Sequence, residues 1–155
     1  MPPLPEIGSV NFDPGVDPSS LPSYLADCLN NVDARAVEVR GNRVTFEGGM
    51  FRFVMNWNVL VPFGFGDLTV NPETHEVRYC LSYRQFVISS IIPLGIAAAF
   101  VFFRTGFRGM SRSIIFFPVL WLFVTFANLA IGISRFEGFL ESCVAAAPRE
   151  SRHSG

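Results

Sequence analysis

The sequence predicts an α+β membrane protein: a small antiparallel β-rich N-terminal head with one short helix, then a two-helix transmembrane hairpin and a short interfacial C-terminal helix. Three observations carry this. Two uncharged apolar stretches, 86–103 and 113–134, are separated only by a link bearing Arg104, Arg108 and Arg112. From residue 35 to 82 apolar positions recur with a period of two, interrupted by turn-forming residues. Residues 20–29 instead carry leucine at every fourth position.

Residues 1–19 read as a proline-rich arm. Six prolines fall within the first 22 residues, three of them in the first five, and such a composition predicts an extended or disordered segment. The head, 20–84, opens with an amphipathic helix whose apolar face is Leu21, Leu25 and Leu29. Ser20 is positioned to cap it, and Pro22 is tolerated because a first-turn N–H has no helical partner.

From Ala36 the pattern is that of a hairpin, 36–40 and 43–47, around Gly41-Asn42, with glycine first as a type II′ turn prefers. Pairing Arg40 with Arg43, Val39 with Val44, Glu38 with Thr45 and Val37 with Phe46 puts the apolar pairs on one face and the polar pairs on the other. Met50–Met55 reads as a further strand. Strands 67–70 and 76–81 flank Asn71-Pro72-Glu73-Thr74, a turn with proline at its second position. The last strand runs into the first apolar helix without a linker, so the head is expected to be docked at the bilayer.

The segment 56–66 is too apolar for a solvated loop and too rich in Gly and Pro for a central strand. It reads either as a strand plus turn whose aromatics close the small core, or as a loop that dips Trp57, Phe63 and Phe65 into the headgroup region. In the second case Arg78 and Arg84 are the matching headgroup contacts. Gly64-Phe65-Gly66 lacks the third glycine and the following helix of a phosphate-binding loop.

The first apolar stretch spans roughly 27 Å as a helix and the second roughly 33 Å, against a hydrocarbon core of about 30 Å. Neither has a polar face, as a helix of a soluble domain of this size needs. Within the hairpin, 85–134, Pro93 frees the carbonyl of Ser89. Antiparallel packing puts Asn128 within a turn of it, so an Asn128–Ser89 contact is expected to set helix register. Gly95 and Ala99, with Ala127, Ala130 and Gly132 opposite, supply small residues for close helix packing. Residues 135–147 carry Phe136, Phe139, Leu140 and Val144 at helical spacing and read as an interfacial amphipathic helix; 148–155 reads as a disordered tail.

A start with neither a basic region nor an apolar core is not a signal peptide. Five arginines flank the hairpin on the head side (78, 84, 135, 149 and 152) against three in the link, which predicts two spans in a plasma or inner membrane, with head and tail cytoplasmic. A formal charge of −1 gives no footprint for nucleic acid. All twelve basic residues are arginine, a compositional bias. Three widely spaced cysteines, Cys28, Cys80 and Cys143, suit free thiols in a reducing compartment; the alternative is a redox pair of Cys80 and Cys143 near one membrane face.

No catalytic, metal or cofactor grouping can be assembled. His75 and His153 have no ligand-spaced neighbours. No Asp, Glu, His or Lys lies in the apolar stretches, where proton and ion pathways usually carry one. The expectation is therefore a non-enzymatic accessory or scaffold subunit, without cofactor, whose partners are the bilayer and either another protein or further copies of itself. The alternative is a membrane-apposed module that binds lipid or a small ligand.

Overall fold

A computed structural model describes residues 6–48, 60 and 62–149; for Glu6 and for residues 89–90, 93–94, 97–98, 101–102 and 104–117 it describes the backbone alone. The elements are β1 (Glu6–Asn11), α1 (Leu21–Asn31), β2 (Arg35–Arg40), β3 (Arg43–Glu47), β4 (Phe65–Asn71), β5 (Glu76–Ser82) and α2 (Arg84–Ala145). The strands form one five-stranded sheet in the order β1-β5-β4-β3-β2, every pair antiparallel. The protein is α+β. The expected strand at Met50–Met55, Trp57, and the tail beyond Arg149 lie outside the described residues.

Burial alternates along β3, β4 and β5, so one sheet face is a core and the other is solvated, as an antiparallel sheet allows. Leu21, Leu25 and Leu29 of α1 seal part of that core. Ser20 makes no side-chain cap; its hydroxyl donates to the Asp17 carbonyl at 3.1 Å, while Asp17 accepts from Ser19, which lowers its carboxyl pKa.

Three of the four expected hairpin pairs are present: Arg40–Arg43, Val39–Val44 and Glu38–Thr45. The fourth, Val37–Phe46, is lost to a register shift between Arg35 and Glu38, where Ala36 takes φ 47°. Gly41 has φ 58° and Asn42 is not left-handed, as a type II′ turn requires.

The arm, expected to be extended or disordered, contains β1, which pairs with β5 over all six residues from Glu6–Leu81 to Asn11–Glu76. Prolines on either side of that run do not interrupt it, and an edge strand needs partners on one side only. Gly66, just outside the expected strand 67–70, is in β4 opposite Phe46, and Gly8 in β1 is opposite Tyr79. A Cβ at either glycine would run into the ring facing it. The two rings therefore lie down across glycine, leaving room above them. Gly66→Ala is expected to lower stability by about 1–3 kcal/mol through displacement of Phe46. Gly41→Ala, with open space around it, should cost about 1 kcal/mol of left-handed backbone strain. Denaturant midpoints of the two variants check both.

The largest departure from expectation is α2. In place of two helices with a separate link there is one uninterrupted helical element of 62 residues. The link holds Gly106 and Gly109 but no proline, and glycine costs a helix only about 1 kcal/mol. The two ends of α2 nevertheless meet. Gln85 packs against Gly64, and Gly132 packs against Pro62. Pro62 and Gly64 are within about 7 Å of each other, whereas residues 85 and 132 of a straight helix would be about 70 Å apart. The element therefore doubles back, and both ends rest on one head.

Its C-terminal part is the second layer of the core. Phe136, Leu140, Cys143 and Val144 are buried against the sheet, so the apolar face of 135–147 is core, not a membrane-interface face. Phe136 occupies the room above the flattened rings. Its centroid is 6.1 Å from Phe46, 5.6 Å from Phe63 and 5.6 Å from Tyr79. The Tyr79 hydroxyl donates to Glu137 on the same helix.

Candidate functional site

Two surfaces stand out: an apolar girdle on α2 and the open sheet face of the head. Among the described residues one segment, Pro118–Ala145, is long and apolar enough to cross a membrane, and only 17% of its most apolar window is buried. A core helix of a soluble protein would be mostly buried. Its outward residues include Leu122, Phe123 and Phe126, and the first half of α2 likewise exposes Ile91, Ile96 and Phe103. An apolar surface this extensive marks contact with a membrane or another protein.

At the roots of α2, Arg84 and Arg135 are both exposed and lie within a turn of the Gln85–Gly64 and Gly132–Pro62 contacts. Gly132, expected at a helix–helix contact, faces the head loop instead. Gly95 has open space where a side chain would stand and Ala99 is exposed, so that pair of small residues faces outward. Asn128 is exposed and its side chain makes no hydrogen bond among the described residues; the Ser89 side chain is outside them. The expected Asn128–Ser89 register contact therefore lies outside the described residues.

The suggested headgroup residues separate. Phe63 is buried against Phe136 and belongs to the core. Phe65 is 44% exposed at the end of β4 paired with Ser82, close to the helix roots. Arg78 is in β5, about 13 Å of strand before its end at Ser82 and so away from the helix roots, and its guanidinium pairs with Glu76 at 3.3 Å.

On the open face, Arg43 Nε donates to both Asp67 carboxylate oxygens, at 2.9 and 2.8 Å, and this pairing raises the Arg43 pKa further. The cross-strand row Ser9, Arg78, Thr69, Arg43 and Arg40 presents cationic and hydroxyl groups side by side. At the β1 edge, an open cleft of about 500 Å³ is lined by Ser9, Asn11, Asp13, Glu141 and Arg149. Arg149 is 3.9 Å from Asp13, and its backbone bridges to Val16. No three of His, Cys, Asp and Glu among the described residues form a metal-binding group.

The sheet separates Cys80 from Cys143, the two cysteines that share a membrane face in the sequence reading. Cys80 is on the open face, between Ile7 and Asp67, and Cys143 is on the covered face. Cys143 is instead in the core that α1 helps to cover, where Cys28 of α1 also packs; the Tyr24 phenol on α1 has its pKa raised by burial and by Cys28. Both cysteines are on visibly apolar helix faces in the sequence; that the two faces meet is a tertiary fact with no local signal.

Burial, then Cys28, pushes the Cys143 thiol up to about 12. Its folded value is raised, so the stability it contributes is complete below the unfolded value near 9 and is lost as pH climbs toward 12. Between about pH 8 and pH 10 the thermal midpoint of the wild type should fall more steeply than that of Cys143→Ala. Parallel slopes would show that this thiol is not held neutral by the fold.

Comparison with known protein families, curated proteins and solved structures finds no match.

Proposed function

We propose that the chain is a small, non-enzymatic integral-membrane scaffold or accessory subunit. In this reading α2 crosses the bilayer twice as a hairpin and holds the head against one surface, where the open sheet face binds a partner protein. The observation that carries it is the one-sidedness of the head. The covered face is filled by α1 and the end of α2, while the polar face, from β1 to β3, has no element of the described chain packed on it.

Two crossings are supported by the return of α2 to the head it leaves, since such a path crosses a bilayer an even number of times. Arg84 and Arg104 bound the first uncharged stretch, and Arg112 and Arg135 the second, as interfacial arginines do. Gly106, Gly109 and the serines at 111 and 113 supply the residues at which helices bend sharply. The arginine count favours a cytoplasmic head.

Phe65 favours a second reading, a lipid-binding head. An exposed aromatic beside the helix roots, with Arg84 two residues beyond its partner Ser82, suits the headgroup zone. A photoreactive residue at Thr69, exposed at the centre of the open face, distinguishes the two in intact cells. The scaffold reading expects one discrete protein adduct from Thr69. The lipid reading expects no protein adduct there, and lipid adducts from the same probe at Phe65.

A further inference from the structure

The two edges of the sheet are built differently. β2, at one edge, carries Arg35, Glu38 and Arg40, and a register shift breaks its pairing between Arg35 and Glu38. Charges and bulges of this kind keep an edge from recruiting further strands. β1, at the other edge, has no charge, proline or bulge from Ile7 to Asn11, and Ile7 is 70% exposed. The Phe12 N–H donates to the His75 carbonyl at 2.9 Å, so by strand alternation Gly8 and Val10 turn their backbone groups to β5. Ile7, Ser9 and Asn11 turn theirs outward, where no strand of the described chain receives them.

These outward groups border the open cleft of about 500 Å³ between β1 and the end of α2. Asp13 in its lining accepts the Gly15 N–H at 2.8 Å and faces Arg149 at 3.9 Å. Glu141, exposed in the same lining, has no partner among the described residues. We propose that the cleft is a docking site for an extended basic segment of a partner protein, which adds to β1 as a sixth strand. Its alternate N–H and C=O groups bond to those of Ile7, Ser9 and Asn11. A lysine or arginine on its α2 side lays its methylene stem on Val10 and Val144 and carries its charge to Glu141. Charge argues against a second copy: residues 1–34 hold no lysine or arginine, so another β1 brings no cation to this carboxylate. The end of α2 runs about 20 Å beyond the Gly132–Pro62 contact, which leaves the cleft clear of the helix roots and open to a water-soluble partner. The site is separate from the open face used in the scaffold reading and does not depend on it.

The test titrates the full-length protein, in a nonionic detergent, into a fluorescein-labelled octapeptide of alternating lysine and valine, read by fluorescence anisotropy. Saturable one-to-one binding is expected, and none for the octapeptide with glutamate in place of lysine. Ser9→Pro removes an outward N–H and leaves the β1–β5 hydrogen bonds in place, so it should abolish binding while circular dichroism shows the head still folded. Glu141→Gln should weaken binding roughly threefold. Methylating alternate peptide nitrogens keeps the charge, and one of the two alternating sets should abolish binding. No binding to the wild type would overturn the proposal, as would binding that survives both Ser9→Pro and either methylation, which is attraction of charge alone. Binding seen only after residues 150–155 are deleted would give the cleft to the chain's own tail. A wild-type dimer that Ser9→Pro converts to a monomer would give the edge to a second copy, and either result would equally overturn it.

Discussion

Phe136→Ala is expected to destabilise the head by about 3–5 kcal/mol, a large part of the roughly 5–15 kcal/mol that holds a typical domain together. Phe136 is fully buried, and Phe46, Phe63, Tyr79 and Phe139 surround it. No neighbour can collapse into the space: Phe46 and Tyr79 are already pressed flat over Gly66 and Gly8. Phe123→Ala is the control. That side chain is 71% exposed on the same helix, and in detergent its loss should change stability by no more than about 0.5 kcal/mol. Denaturant unfolding followed by near-ultraviolet circular dichroism checks the pair. Similar small losses for both would return residues 135–147 to the membrane interface.

The same helix shows how far the sequence can be read. Phe136, Leu140, Cys143 and Val144 form an evident apolar stripe, but periodicity reports only that a face is buried and not what buries it. Lipid headgroups and the top of a sheet demand the same pattern. The β2–β3 hairpin is more legible because a strand register answers to its own turn: Gly41 fixes three pairs, and only the bulge at Ala36 escapes. The arm and the glycine end of the 56–66 segment are hard to read for a shared reason. Proline and glycine signal a break in regular structure. Yet the prolines flank β1 without entering it, and Gly66 is in β4 because Phe46 needs the space. The headgroup candidates divide likewise: Phe65 is in β4 and faces outward, while Phe63 is in the turn before that strand and packs inward on Phe136. That Cys28 and Cys143 border one core has no local signature, since it depends on how α1 and the returning end of α2 share the covered face.

The return of α2 makes a prediction in which each topology leaves its own labelling pattern. A thiol-reactive, membrane-impermeant label applied to intact cells and to inverted vesicles should find a cysteine introduced at Arg108 on one side only. Cysteines introduced at Ser23 in the head and Ser142 near the end of α2, both exposed, should label on the opposite side. Cys28, Cys80 and Cys143 would be replaced by alanine so that each new thiol reports alone. A single crossing through Pro118–Ala145 would instead put Ser23 and Ser142 on opposite faces. That would require the end of α2 to leave the sheet, abandoning the Phe136 cluster, the Tyr79–Glu137 hydrogen bond and the Arg149–Asp13 pair together. A helix lying along the surface would put all three positions on one side. Ile96→Arg adds a magnitude: at the centre of the first stretch it should cost membrane insertion about 2.5–3.5 kcal/mol, enough to deplete the membrane fraction while the head, whose core it does not touch, stays folded. Retention in the membrane fraction at the wild-type level would show that the first stretch does not cross.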